Sequence, residues 1–253
     1  MLAYVRGVVA RRGRVGGAPR PPPPGDAARQ ARIASALRRA EAFVRRVQRP
    51  DGSWYGSWGV CFTYGTWFGC AALGALGHSV RSGCRAQQRA CAFLLSKQRE
   101  DGGWGESYLS CRDKAYAQLE GPSHVVNTAW AMLALIAAGW HEGERGEGEG
   151  EGGDAAALAP LHRAARYLLR AQEASGDWPQ QHISGVFNRN CMITYANYRN
   201  IFPIWALGLY RRCVLGGARR VAGAPGRPAG GGEAGAGGGG AYWCAAISDF
   251  LDK

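Results

Sequence analysis

Cysteine and histidine are the side chains best suited to hold a metal, and a cysteine thiolate can also act as nucleophile or redox partner. The eight cysteines, at 61, 70, 84, 91, 111, 191, 213 and 244, form no Cys-x-x-Cys pair and no ligand-like spacing with the five histidines. The chain is also too long for the small, stapled kind that a secreted disulfide framework describes. The expectation is therefore reduced, partly buried thiols facing the cytosol, with no metal. Acid chemistry has little to draw on either. The aspartates, at 26, 51, 101, 113, 154, 177, 249 and 252, fall in segments that read as loops, turns or tails. Aromatic residues are plentiful: nine Trp, ten Tyr and seven Phe in 253 residues.

Several of these aromatics recur in a fixed frame. Phe43 to Trp54, Phe93 to Trp104 and Tyr167 to Trp178 each read as an aromatic, an aliphatic, three residues, Gln, three residues, Gly, one residue and Trp. The brackets are Gln48 with Trp54, Gln98 with Trp104, and Gln172 with Trp178. Five fixed positions repeated three times define an internal repeat, and a repeat decides architecture before any local detail. Each aromatic falls on the last turns of a helix, Gln lies near its C-terminus, and Gly supplies the positive φ that ends it. Trp then returns a large apolar face toward the helix just left.

The positioning elements follow from periodicity. Residues 27–47 are strong helix formers with Ile33, Leu37, Ala40 and Val44 on one face. Further helices are expected at about 63–77, 85–98, 124–139, 159–173 and 197–213. Those that carry Trp67, Trp130 and Trp205 are apolar nearly all round and read as buried inner helices. Those before each bracket carry Arg, Gln and Lys and read as the outer layer. Alternating strand patterns are nearly absent. The expected class is all-α, helical hairpins arranged as an α/α toroid or solenoid.

Composition bounds the rest. At 46% hydrophobic residues the chain can build a real core. The net charge of +12 is concentrated in residues 1–50, where twelve arginines face only Asp26 and Glu41. Charge confined to one end indicates a basic tail and first helix, and argues against a phosphate-binding face and nucleic-acid binding. Residues 1–26, rich in Arg and Pro, are expected to be disordered, as is most of the Gly-rich stretch 214–253. Residues 143–153, GERGEGEGEGG, read as a loop insertion, which accounts for the second bracket interval of 74 residues against 50 for the first. No apolar run approaches the roughly 20 residues of a spanning helix, so any membrane association is expected to be peripheral or monotopic.

The bracket and its surroundings resemble the triterpene cyclases, whose QW motif has this form. The segments GSWGVCFTYGTWFG (56–69), EDGGWGESYLSC (100–111), NTAWAML (127–133) and GDWPQQHISGVFNRNCMITYANYRNIFPIWALG (176–208) together resemble the C-terminal part of the eukaryotic 2,3-oxidosqualene cyclases. The resemblance implies a pocket that folds (S)-2,3-oxidosqualene and cyclises it to a sterol, with lanosterol the expected product. It also implies no cofactor, no metal, and monotopic attachment to the endoplasmic reticulum membrane, where the hydrophobic triterpene substrate dissolves. By the same resemblance Trp58, Phe187, Tyr195 and Tyr198 line the cyclisation cavity, with Asn188 and Ile193 as weaker candidates, and the Gln and Trp of the brackets are stabilisers.

The family protonates its epoxide with an Asp in an Asp-Cys-Thr-Ala-Glu stretch, which is absent from this sequence. General-acid help of that kind is worth roughly 10²–10⁴-fold. With the resemblance the expectation is a cyclase fragment, an incomplete α/α barrel (toroid) over residues 27–213, that keeps part of the cation-stabilising wall, lacks the proton donor and is inactive alone. The rival readings are a prenyltransferase β-like barrel, which needs a zinc site that these cysteines and histidines do not form, and a non-catalytic helical repeat module binding a hydrophobic ligand or partner.

Overall fold

The computed structural model describes residues 26–142, 152–187 and 191–216. Helix α1 is Asp26–Arg46, α2 is Cys61–Ala75, α3 is Arg85–Leu95, and a single turn, α4, is Leu109–Asp113. Helix α5 is Val125–Ala137, α6 is Gly152–Ala171 and α7 is Tyr198–Leu209, continued by a π-helical turn over Tyr210–Leu215. The six long helices lie within a few residues of their expected positions, except that α6 starts earlier, at Gly152. Asp154 therefore falls inside a helix instead of a loop, as do Asp26 in α1 and Asp113 in α4. Most of the two tails and of the 143–153 segment lies outside the described residues.

Helices α1, α3 and α6 form the outer layer, and α2, α5 and α7 the inner one. All thirteen residues of α5 are buried. It packs between α2 and α7 with α6 behind it, which is why its sequence is apolar on every side. Helix α7 departs from the expected burial. Its Phe202, Pro203, Ala206 and Leu209 are buried, but Ile201 and Ile204 are 46% and 61% exposed. It is the last inner helix among the described residues, and only one side of it meets another inner helix.

The three brackets fold into the same clasp. Trp54 Nε1 donates to Val44 O at 2.8 Å, Trp104 Nε1 to Leu94 O at 2.7 Å and Trp178 Nε1 to Leu168 O at 2.9 Å. Each indole thus satisfies a carbonyl of the helix that its chain has just left. Gln48, Gln98 and Gln172 each donate Nε2 to the carbonyl of their own Gly, at 2.9, 2.9 and 2.8 Å. Gly52, Gly102 and Gly176 have φ of 93°, 90° and 87°, the left-handed region that a side chain resists. In the first two clasps Nε2 also reaches the next outer helix, at Ala86 O and Pro160 O, both 2.8 Å.

Two local features were not expected. A two-stranded antiparallel ribbon joins β1, Gly185–Phe187, to β2, Cys191–Ile193, with Gly185 opposite Ile193. Three residues per strand are too few to display a period. The reduced state expected for all cysteines is corrected by a Cys61–Cys111 disulfide, Cα–Cα 5.9 Å. Both cysteines stand thirteen residues after their bracket Gln, so the bond links equivalent positions of the first two repeats. Cys70, Cys84 and Cys91 are free and buried.

The clasps differ in what surrounds their glycine. A Cβ on Gly52 would stand 2.3 Å from Arg89 O, whereas one on Gly176 would meet nothing within 4 Å. Both substitutions carry the left-handed strain of about 1–2 kcal/mol. Only the first must also push α3 away. Overpacking of that kind costs about 2 kcal/mol, so Gly52→Ala is expected to lose that much more stability than Gly176→Ala in urea denaturation. Equal losses would contradict the clasp packing.

Candidate functional site

The site grows from backbone pairing between two distant segments. Val60 N donates to Ser184 O and Val186 N to Trp58 O, both at 2.9 Å, and Gly59 pairs antiparallel with Gly185. Residues 58–60 thereby add a third edge to the β1–β2 ribbon. The pairing brings Trp58 and Phe187, 129 positions apart in sequence, to ring centroids of 5.0 Å at 59°. Both residues stay exposed, at 55% and 38%. Isolated large apolar residues at a surface need no explanation, but a tilted ring pair held by a strand ladder is a constructed surface.

Two glycines make room for the next rings. A Cβ on Gly59 would lie 2.5 Å from the Tyr64 ring, and one on Gly185 would lie 2.3 Å from the Tyr195 ring. Tyr195 and Tyr198 stack at 4.4 Å and 22°. From Tyr198 the contacts run to Phe202 at 4.9 Å and Trp130 at 6.1 Å, then from Trp130 to Tyr64 at 5.1 Å and from Tyr64 to Phe68 at 4.8 Å. Four of the expected residues, Trp58, Phe187, Tyr195 and Tyr198, are thus gathered around one ribbon. Ile193 sits half-buried in β2 opposite Gly185. Asn188 lies outside the described residues.

Tyr64, Phe68 and Phe202 belong to the same aromatic surface and were not expected there. Tyr64 is six residues beyond Trp58 and Phe68 ten, spacings that matter only once α2 turns them back toward the ribbon. Burial raises the Tyr64 phenol above its ordinary pKa, helped by the neighbouring Tyr198 and Tyr195, and burial likewise raises Tyr198. These phenols stay neutral near pH 7, and their rings present the electron-rich faces that attract cations. The indole N–H groups of Trp67 and Trp130 are buried without a hydrogen-bond partner among the described residues.

The carboxylates serve turns and caps. Asp51 accepts from Ser53 N at 2.9 Å, Asp101 from Gly103 N at 2.9 Å and Ser123 Oγ at 2.6 Å, and Asp177 from Trp178 N at 2.8 Å while pairing with Arg199 at 2.9 Å. Glu106, fully buried, accepts from Phe62 N at 2.9 Å, Thr63 N at 2.8 Å and Thr63 Oγ1 at 2.7 Å. It caps α2 from a distance. Burial raises its pKa, while these donors oppose the rise. Among the described residues no cluster of His, Cys, Asp or Glu could hold a metal. A polar pocket of about 430 Å³, lined by Glu100, Asp101, Arg163, Arg166 and Arg170, lies on the outer layer between the second clasp and α6. It shares no residue with the aromatic surface.

His124 locks the ribbon's approach to α5. Its Nδ1 accepts from Val126 N at 3.1 Å and its Nε2 lies 2.9 Å from His182 O, a pairing that assigns the neutral tautomer with a proton on Nε2. Gln181 adds bonds to Val125 N at 2.7 Å and Ser123 O at 3.0 Å. Burial pushes the His124 pKa down to about 4, partly opposed by the His182 carbonyl. An unfolded His protonates near 6.5, so between that pH and about 4 the unfolded chain binds the extra proton. Stability is therefore expected to fall by about 3 kcal/mol from this group as pH drops through that window. His124→Asn keeps a capping acceptor without the titration. Denaturation midpoints followed from pH 7 to pH 4 are expected to fall less steeply in the variant, and identical slopes would count against the assignment.

The profile of the squalene-hopene cyclase C-terminal domain matches residues 27–212. Lanosterol synthase of Homo sapiens is 47% identical over 199 residues, which cover 78% of this chain and 25% of that protein. A lanosterol synthase of Aspergillus fumigatus is 48% identical over 180 residues, 71% of this chain and 22% of that one. Cycloartenol synthase of Dictyostelium discoideum is 46% identical over 183 residues, 72% and 24% of the two chains. The chain spans about a quarter of the length of the curated relatives it matches.

Proposed function

The chain belongs to the squalene-hopene cyclase C-terminal domain family, and from that premise we propose that its aromatic surface stabilises carbocations while (S)-2,3-oxidosqualene is cyclised to lanosterol. Protonation of the epoxide oxygen breaks its bond to the more substituted carbon and leaves a cation there. Successive alkenes then give their π pairs to the cation before them and become the next cation, 1,2-hydride and methyl shifts carry the last cation back through the rings, and loss of a ring proton leaves the isomeric sterol with the chain's far alkene untouched. The protein must keep water from these cations and offer charge density that does not react with them. Neutral aromatic faces meet both demands, at roughly 0.5–2 kcal/mol per ring.

The observation that carries this reading is the Trp58–Phe187 pair, held at 5.0 Å by the strand ladder with both residues exposed. Tyr195, Tyr198 and Tyr64 extend the same surface. The proton, in this reading, comes from elsewhere, because Asp51, Asp101 and Asp177 are each bonded into a turn. In this reading the described residues supply ring faces and no acid, and the chain by itself leaves oxidosqualene unchanged. Attachment would be monotopic, at the endoplasmic reticulum membrane. No helix among the described residues is long and apolar enough to cross a membrane.

Two measurements on the full 253-residue chain test the proposal. Incubation with oxidosqualene in detergent is expected to give no lanosterol by mass spectrometry; its appearance would refute the absence of a proton donor. An aza-analogue of the substrate, with a protonated amine where the cation forms, should bind and quench tryptophan fluorescence. Phe187→Ala and Trp58→Ala are each expected to weaken that binding about 3- to 30-fold. Unchanged affinity in both variants would sink the role given to the ring pair.

A further inference from the structure

The two ends of the described hairpin array carry complementary halves of one contact. Inside the chain that contact occurs twice, where an outer helix docks on the clasp before it. Counted back from the bracket Gln of its own repeat, α3 presents Ala86, Arg89, Ala90 and Phe93 at positions −12, −9, −8 and −5. Ala86 O accepts from Gln48 Nε2 at 2.8 Å, and Arg89 Nη2 donates to Arg49 O and to Pro50 O, the latter at 3.0 Å. Ala90 and Phe93 are buried. At the same four positions α6 presents Pro160, Arg163, Ala164 and Tyr167. Pro160 O accepts from Gln98 Nε2 at 2.8 Å, Arg163 Nη2 donates to Gln98 Oε1, and Ala164 is buried.

Helix α1 has the same face, and the contacts described on it come from α1 itself, Arg39 Nη1 donating to Ser35 Oγ at 2.7 Å and Arg46 lying 5.5 Å from the Phe43 ring centroid. Its residues at −12, −9, −8 and −5 are Ala36, Arg39, Ala40 and Phe43, the same types as in α3. All four are exposed, Phe43 at 53%. The third clasp has the opposite deficiency. Gln172 is exposed and donates Nε2 to Gly176 O, while the second acceptor, which Ala86 and Pro160 supply to the other clasps, has no counterpart among the described residues. A Cβ on Gly102 would press on Arg163 at 2.8 Å, but the space beside Gly176 is open. The arginine of the docking helix is received just beyond the C-terminal end of the preceding outer helix, Arg89 by the carbonyls of Arg49 and Pro50 and Arg163 by the side-chain oxygen of Gln98, and the matching end of α6 lies open to Arg39.

We propose that copies of this chain associate head to tail, α1 of one copy docking on the third clasp of the next in the register that α3 and α6 use internally. The contact is heterologous, so it generates a ring where the rotation closes and an open string where it does not. It rests on the repeat geometry and is independent of the catalytic reading.

Sedimentation of the full chain across a range of concentrations tests it. The expected mass rises in multiples of the 27.0 kDa protomer. Arg39→Glu sets a carboxylate against carbonyls. Ala174→Arg sets a cation against Arg39, since Ala174 matches Pro50 and Glu100, the residues that face Arg89 and Arg163. Both sites are exposed, so melting curves are expected to match the parent. Each variant alone is expected to raise the dissociation constant about tenfold or more. An equimolar mixture of the two restores association, because the carboxylate introduced by Arg39→Glu in one copy then meets the guanidinium introduced by Ala174→Arg in the other, while the return contact has its natural residues. A monomer at every concentration, as when residues 241–253 cover the third clasp of their own chain, would overturn the proposal. So would variants that associate normally, or a mixture that stays dissociated, which would indicate a self-complementary α1 face.

Discussion

One amide nitrogen holds each join of this fold. A bracket glutamine has two N–H bonds to give. In the first two repeats one goes to the carbonyl of its own turn and the other to the outer helix of the following hairpin. The indole beside it returns to the helix just left. A helix end, a turn and a neighbouring helix are thereby fixed by two side chains. Carbonyls at a helix C-terminus would otherwise need water, so the clasp also lets these ends pack without an orphaned acceptor. The helices supply apolar area, and the clasps set the angle at which that area meets.

The inner layer depends on this fixing. Helix α5 is buried on all sides because α2, α6 and α7 are each held in place around it, and its N-terminus is capped by residues from outside the helix. The same capping ties residues 181–182 to α5 and delivers the ribbon to residues 58–60. The ring surface is therefore a product of the scaffold and not of any single loop. Trp58 reaches Phe187 only because a turn after the first clasp and a ribbon after the third are brought edge to edge.

The repeat, the two layers and most helix limits were legible in the sequence because they rest on local periodicity and on residues whose roles are backbone-driven, above all the Gln, Gly and Trp of the clasps. The aromatic surface was legible in part. Trp58, Phe187, Tyr195 and Tyr198 came from a family resemblance, whereas Tyr64, Phe68 and Phe202 become neighbours only after α2 and α7 are packed. Glu106 gave no local sign of its role, since it caps a helix that starts 45 residues earlier in the chain. His124 reads as an ordinary polar residue until Gln181 and His182 fold against it. The disulfide left a trace that periodicity could have caught, two cysteines at the same offset from successive brackets, but a search for short-range pairs passes over a partner 50 residues away.

That bond alters the order in which the molecule can come apart. Cys61 opens α2 and Cys111 lies in α4, so the first two hairpins, which the first clasp already holds together, are also joined covalently. A crosslink closing a loop of this length removes about 4 kcal/mol worth of freedom from the unfolded chain in the simplest entropic treatment. The third hairpin has no such tie among the described residues, and its clasp makes one amide contact where the others make two. Loss of structure on heating or under load would thus begin at α7 and the ribbon and travel inward. The ring surface straddles that seam, with Trp58 on the stapled side and Phe187 on the other. The first unfolding step parts the two rings while the stapled hairpins stay folded.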